Sequence, residues 1–214
     1  MAVTDAIKLR IYNGALRMLG SRKIASLGET REPRRILDDV WGGSDECVHL
    51  ALEAGEWNFA IRTVQADYSP SVEPDFGFKR AYDKPDDFRR LITISANEFF
   101  TQPLTAREFS DEAGYWFSEY DTIYIRYISD DDDYGLNSGA WTESFKKYLE
   151  AYLSFEACER ITNSTTKVQM AARAMSDALK KAKSRDAMNE GTKFPTVGNW
   201  ARSRSGFSRY RGEQ

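Results

Sequence analysis

The hydrophobic period of this chain changes twice, and that change limits the folds open to it. From Thr4 to Gly20 apolar residues recur at helical spacing: Ile7, Ile11, Ala15 and Met18, with Leu16 and Leu19 widening the stripe. From Trp57 to Asp130 the pattern turns to alternation, with β-branched and aromatic residues dense around Ile123, Ile125 and Tyr127. From Phe145 the helical spacing returns, through Tyr148, Leu149, Tyr152 and Phe155. A helix and a half-buried strand place alternate side chains differently, so one period cannot serve both. The expected fold is α+β and mainly helical: a four-helix unit with an inserted small antiparallel β-sheet and an extended C-terminal arm.

Punctuation sets the boundaries. Thr4 is a plausible N-cap and Gly20 a stop, giving a helix over 4–19. Ile24 and Leu27 anchor the loop that follows, and Pro33 opens a second helix at a first-turn position. The apolar register 36, 40, 44, 47, 51 runs through Gly42 and Gly43, so one long helix is expected over 33–54. Trp57, Phe59 and Ile61 alternate with Asn58 and Ala60, which predicts extended chain after Gly55. Trp57 and Phe59 are expected to plug the helical core. Pro85-Asp86-Asp87 predicts a single helical turn, with acids beside free N–H groups. Strands are expected near 91–94, 105–109, 114–118 and 122–128, in one sheet of about four strands within a 57–130 insertion. Asn163–Thr166 separates two final helices, 142–162 and 165–189, as an antiparallel hairpin. Residues 1–190 then form one domain and 191–214 the arm.

The arm differs in composition. Lys193, Arg202, Arg204, Arg209 and Arg211 face a single acid, Glu213, and Trp200, Phe207 and Tyr210 are interleaved with the arginines. The net charge of the chain is −3, so residues 1–190 carry −7 against +4 on the arm. With almost no aliphatic residue the arm cannot build a core, yet Arg and aromatic residues are what protein interfaces enrich. Such a segment becomes ordered on a partner. The acidic body, by contrast, is expected to bind nucleic acid poorly.

Catalytic patterns are thin. The two cysteines, Cys47 and Cys158, lie in apolar helical stretches and read as buried thiols. His49 is the sole histidine and has no motif partner. Asp130–Asp133 are contiguous, whereas calcium loops alternate ligands with spacers, so a solvated loop is expected there and no metal. Neither a glycine-rich phosphate loop nor a Ser–His–Asp pattern occurs. Carboxylate pairs for glycoside hydrolysis could be drawn from Glu53, Glu56, Glu108, Asp111, Glu112 and Glu119. Tyr115, Trp116, Phe117 and Tyr120 lie near them, although sheet packing or a subunit contact accounts for these rings more simply. No run approaches ~18 apolar residues, so no membrane span is expected. The N-terminus lacks the basic-then-apolar order of a signal peptide, which predicts folding in the cytosol of the producing cell.

Four stretches, taken in order, resemble one family. They are Ile11-Tyr12-Asn13-Gly14-Ala15-Leu16-Arg17-Met18-Leu19-Gly20 with Ile24-Ala25-Ser26-Leu27; Ala54-Gly55-Glu56-Trp57-Asn58-Phe59-Ala60; Tyr82-Asp83-Lys84-Pro85-Asp86-Asp87-Phe88-Arg89-Arg90-Leu91; and Ala182-Lys183-Ser184-Arg185-Asp186-Ala187 with Trp200-Ala201-Arg202. The chain resembles the head–tail adaptors, or tail tubular protein A, of short-tailed bacteriophages. Asp130–Asp133 and the Arg-rich last dozen residues have no counterpart in that pattern.

The resemblance implies a structural virion protein without catalysis or cofactor. It would form a ring, of twelve subunits in relatives, that joins the phage portal protein to the tail nozzle protein. Genomic DNA would pass through its channel without specific binding. Localisation would be the head–tail junction of the virion, reached through the host cytoplasm. A C-terminal segment in relatives reaches along the portal, which assigns portal docking to Trp200, Arg202, Arg204, Phe207, Arg209, Tyr210 and Arg211. Tyr115, Trp116, Tyr120 and Tyr124 are candidates for the contact with a neighbouring subunit or the nozzle. Two alternatives remain open: a carbohydrate hydrolase sited near the β insertion, and a DNA-binding module using the basic arm.

Overall fold

The computed structural model describes residues 4–43, 45–72, 74, 77–112 and 114–189. The arm, 191–214, and the docking residues assigned to it lie outside the described residues.

Helix α1 spans Asp5–Leu19. The carbonyl of Thr4 takes the Ile7 and Lys8 N–H groups, while the Thr4 side chain makes no cap bond to the helix. At the other end Gly20 adopts φ 72°, a left-handed conformation that costs a residue without Cβ little. Its N–H reaches the Arg17 carbonyl and that of Ser21 reaches Leu16, the paired closure of a Schellman stop.

The expected long helix over 33–54 is two helices, α2 (Glu32–Trp41) and α3 (Glu46–Glu53). Gly42 sits at φ 79°, ψ 155°, a region open in practice to glycine alone, and Asp45 is left-handed at φ 56°. The apolar residues Ile36, Cys47, Val48 and Ala51 still all reach the core. Spacing predicted burial correctly there but could not report that the axis breaks. The helices therefore number five among the described residues, not four.

A 3-10 turn at Asn58–Ala60 replaces the extended start expected after Gly55. Six strands follow: β1 (Ile61–Asp67), β2 (Arg80–Asp83), β3 (Phe88–Ser95), β4 (Phe109–Glu112), β5 (Tyr115–Ser118) and β6 (Thr122–Ser129). They form two three-stranded antiparallel sheets, β1-β6-β3 and β2-β5-β4, rather than one. The strand expected near 105–109 begins only at Phe109. The turn at Pro85 is present, closed by the Phe88 N–H on the Pro85 carbonyl at 3.0 Å.

Strand β6 shows how the layers stack. Ile123, Ile125 and Tyr127 face one way and meet Tyr82 and Trp116 of the second sheet. Ile128 faces the other way and packs with Ile11, Leu52, Trp57 and Phe145 of the helical core. The first sheet thus lies between the helices and the second sheet, buried on both sides along part of its length. Helices α4 (Glu143–Thr162) and α5 (Thr165–Asn189) close the molecule as the expected hairpin. Thr142 caps α4 by accepting the Phe145 N–H, and left-handed Asn163 ends it. Among the described residues no helix is long and apolar enough to cross a membrane.

Candidate functional site

Three places hold the elements in fixed relation, and each falls in a stretch that carries the resemblance. In the first, Asn13 of α1 donates to the Ile24 carbonyl at 3.0 Å and accepts the Ile24 N–H at 2.9 Å. A side-chain amide so placed satisfies both backbone groups of a loop residue whose side chain is buried. In the second, Trp57 is buried and its indole N–H donates to the Ala51 carbonyl at 2.8 Å. Its ring meets Phe145 edge-on at 4.9 Å, and half-buried Phe59 packs on the same phenyl ring. Both rings plug the helical core as their position in the sequence suggests.

The third is Asp87, at the end of the Pro85 turn. Its carboxylate accepts from Arg62 at 2.8 Å, from the Tyr127 hydroxyl at 2.9 Å and from the Ser129 hydroxyl. Its backbone carbonyl takes the Asp130 N–H at 3.0 Å. Burial acts to raise the pKa of Asp87, but the bonds from Ser129, Arg62 and Tyr127 outweigh it and hold the carboxyl below its usual range. Tyr127 moves the opposite way, pushed above the ordinary phenol value by burial and by the neighbouring carboxylate. One carboxylate thereby ties the first sheet to the turn that leads into it.

Asp130 and Asp131 join this network, while Asp132 and Asp133 are exposed as a solvated loop predicts. Asp130 pairs with Arg89, whose Nε lies 2.6 Å away, and stands 3.4 Å from His49 Nε2. Burial and the Arg89 guanidinium lower His49 below its ordinary value, against the pull of Asp130. The Asp131 carboxylate accepts the Asp133 N–H, closing the turn on itself. Among the described residues no group of three or more metal-ligating side chains converges.

The last turns of α5 are tied to the trunk. Asp186 in the last turns of α5 is 2% exposed and accepts the Asn58 N–H at 2.8 Å, while the Asn58 amide donates to the Asp186 carbonyl at 2.7 Å. A cleft of about 370 Å³ opens beside this tie, lined by Trp57, Asn58, Ile61, Arg90, Arg126 and Lys183 among others. Arg90 there meets Glu56 at 3.3 Å and Arg126 lies over the Phe100 ring.

The four aromatic candidates on the insertion do not share one environment. Trp116 is a core residue, 0% exposed, with its indole N–H on Asp111 at 3.1 Å and its ring edge-on to Phe88. It is withdrawn as a contact residue, because alternation in β5 turns it inward between the sheets. Tyr115 and Tyr124 are half-buried and Tyr120 is exposed. Sequence reading missed Phe99, which at 76% is the most exposed large ring among the described residues. It also missed Tyr68, stacked under Arg80 at 4.0 Å. Both lie in irregular segments or at a strand end, where periodicity gives no facing information.

Five of the six carboxylates suggested for hydrolysis, all but Glu53, are bound locally. Glu56 pairs with Arg90, Glu108 accepts from Thr105, Asp111 from Lys84 and Trp116, Glu112 from Ser110, and Glu119 pairs with Lys79. Cys47 and Cys158 are both buried, and burial followed by the Asp45 charge pushes the Cys47 thiol up to about 12, which makes it a poor nucleophile. A scan against protein-family models and a search of curated proteins both return no match for this chain.

Proposed function

We propose that this chain is a structural subunit of a phage head–tail connector, joining the portal to the tail nozzle as one member of a ring. The observation that carries the reading is the tie between Asp186 and Asn58. It gives the last turns of α5 a fixed point on the turn that leads into β1, and the sequence beyond them is rich in arginine and large rings. A docking strap needs such a point, because its reach is useful only from a rigid base. The arm's rings would fill pockets on the portal and its arginines would pair with portal carboxylates.

Two further observations support this reading. The stretches that resemble the adaptors supply ties that hold the layers together: Asn13, Trp57 and Asp87. The insertion adds a separate surface, with exposed rings in its connections: Tyr68 after β1, Phe99 after β3 and Tyr120 between β5 and β6. A ring requires two different complementary faces on each subunit, and a helical face with a projecting sheet provides candidates for both. Virion localisation follows from this proposal.

The test is removal of residues 191–214. The truncated chain is expected to unfold cooperatively, as the full chain does, and to lose capture by immobilised portal. Capture that survives the truncation would contradict the arm's role. Hydrolysis of a glycan, abolished by Glu→Gln in the insertion, would contradict the structural reading altogether.

A further inference from the structure

Charge is distributed more unevenly than a comparison of body with arm reveals. Residues 1–164 carry 19 basic and 29 acidic side chains, whereas α5 alone carries six basic and two acidic. Of those two acids, Asp186 is buried and only Asp177 is exposed. All six cations, Lys167, Arg173, Lys180, Lys181, Lys183 and Arg185, are exposed.

Partnering separates this helix from the rest. Among residues 1–164, 13 of the 19 cations pair with acids, among them Arg10 with Glu143, Arg17 with Glu150, Arg62 with Asp87, Arg89 with Asp130 and Arg160 with Asp39. On α5, Lys167 reaches the Leu19 carbonyl. The other five make no ion pair among the described residues, and Lys183 joins Arg90 and Arg126 around the cleft. From Lys167 to Arg185 the ridge runs about 27 Å along the helix at 1.5 Å per residue.

We infer that the exposed face of α5, continued by Arg90 and Arg126, is a sequence-independent binding surface for the phosphate backbone of duplex DNA. Composition favours phosphate over an acidic protein. Between Arg173 and Arg185 the exposed residues are lysine, arginine, serine and a single aspartate. Protein interfaces are depleted in lysine and serine and depend on buried aromatic anchors, which this stretch lacks. Phosphate binding needs only mobile cations, and counterion release supplies its free energy. The surface goes beyond the connector reading, in which DNA passes without specific binding. It also revises the expectation that the body avoids nucleic acid.

The test is fluorescence anisotropy of the full chain with a labelled duplex of about 20 bp, between about 50 and 200 mM salt. The expected result is binding that weakens steeply with salt. In K180A/K181A/R185A the slope of log K against log salt should fall by about 2–3, at about 0.9 for each phosphate no longer neutralised. Alanine keeps helix propensity high, and circular dichroism checks the fold. The charge-keeping K180R/K181R/R185K should retain the parent slope, which separates charge from helix damage. R202A/R204A/R209A/R211A removes the arm's contribution and should leave the α5 share in place. An unchanged slope in the α5 variant would overturn the inference. So would binding abolished by the arm variant alone, or a parent chain that ignores duplex at the lowest salt.

Discussion

At the scale of single residues, Asp87 is the most informative side chain. Its folded pKa lies below the ordinary carboxylate value, so it stabilises the fold above about pH 4 and loses that contribution as pH falls through the folded value. His49, also lowered, works in the same direction, because protonation at low pH favours the unfolded chain. Asp87→Asn should cost about 2 kcal/mol near neutrality. It should also flatten the acid side of the curve of melting temperature against pH, which calorimetry across pH 3–7 reads directly. Asn13→Ala leaves both Ile24 backbone groups without their partner and should cost about 1–3 kcal/mol. Trp57→Ala empties the centre of the helical core and should cost about 3–5 kcal/mol by denaturant titration. The sequence made Trp57 legible through its position after a helix end. The convergence on Asp87 was not legible, because Arg62, Tyr127 and Ser129 are distant in sequence and no local pattern joins them.

At the scale of elements, periodicity succeeded wherever an element is amphipathic and failed wherever the backbone turns. The helices over 4–19, 142–162 and 165–189 were readable within a residue because their buried stripes are continuous and their ends carry Thr142, Gly20 and Asn163. The break between α2 and α3 was not, since Gly42 and Asp45 change the axis without disturbing the apolar register. Gly42→Ala should therefore destabilise by about 1–3 kcal/mol, a conformational cost measurable in urea. The split into two sheets was hidden for a related reason. Alternation says which residues turn inward, but not whether they meet helices or another sheet. Trp116 shows the consequence: its aromatic character suggested a contact surface, and its inward position in β5 makes it core.

At the scale of the whole molecule, three layers divide the work. Buried rings and the Asp87 network hold the trunk, Asp186 ties the end of α5 to it, and the exposed cations of α5 run along that helix up to the tie. The most direct measurement is electron microscopy of the purified chain mixed with its portal, alongside the chain lacking 191–214. The expected images show a ring of subunits seated on the portal for the full chain and bare portal for the truncated one. Bare portals in both samples, or rings in both, would contradict the connector reading with its arm-borne dock.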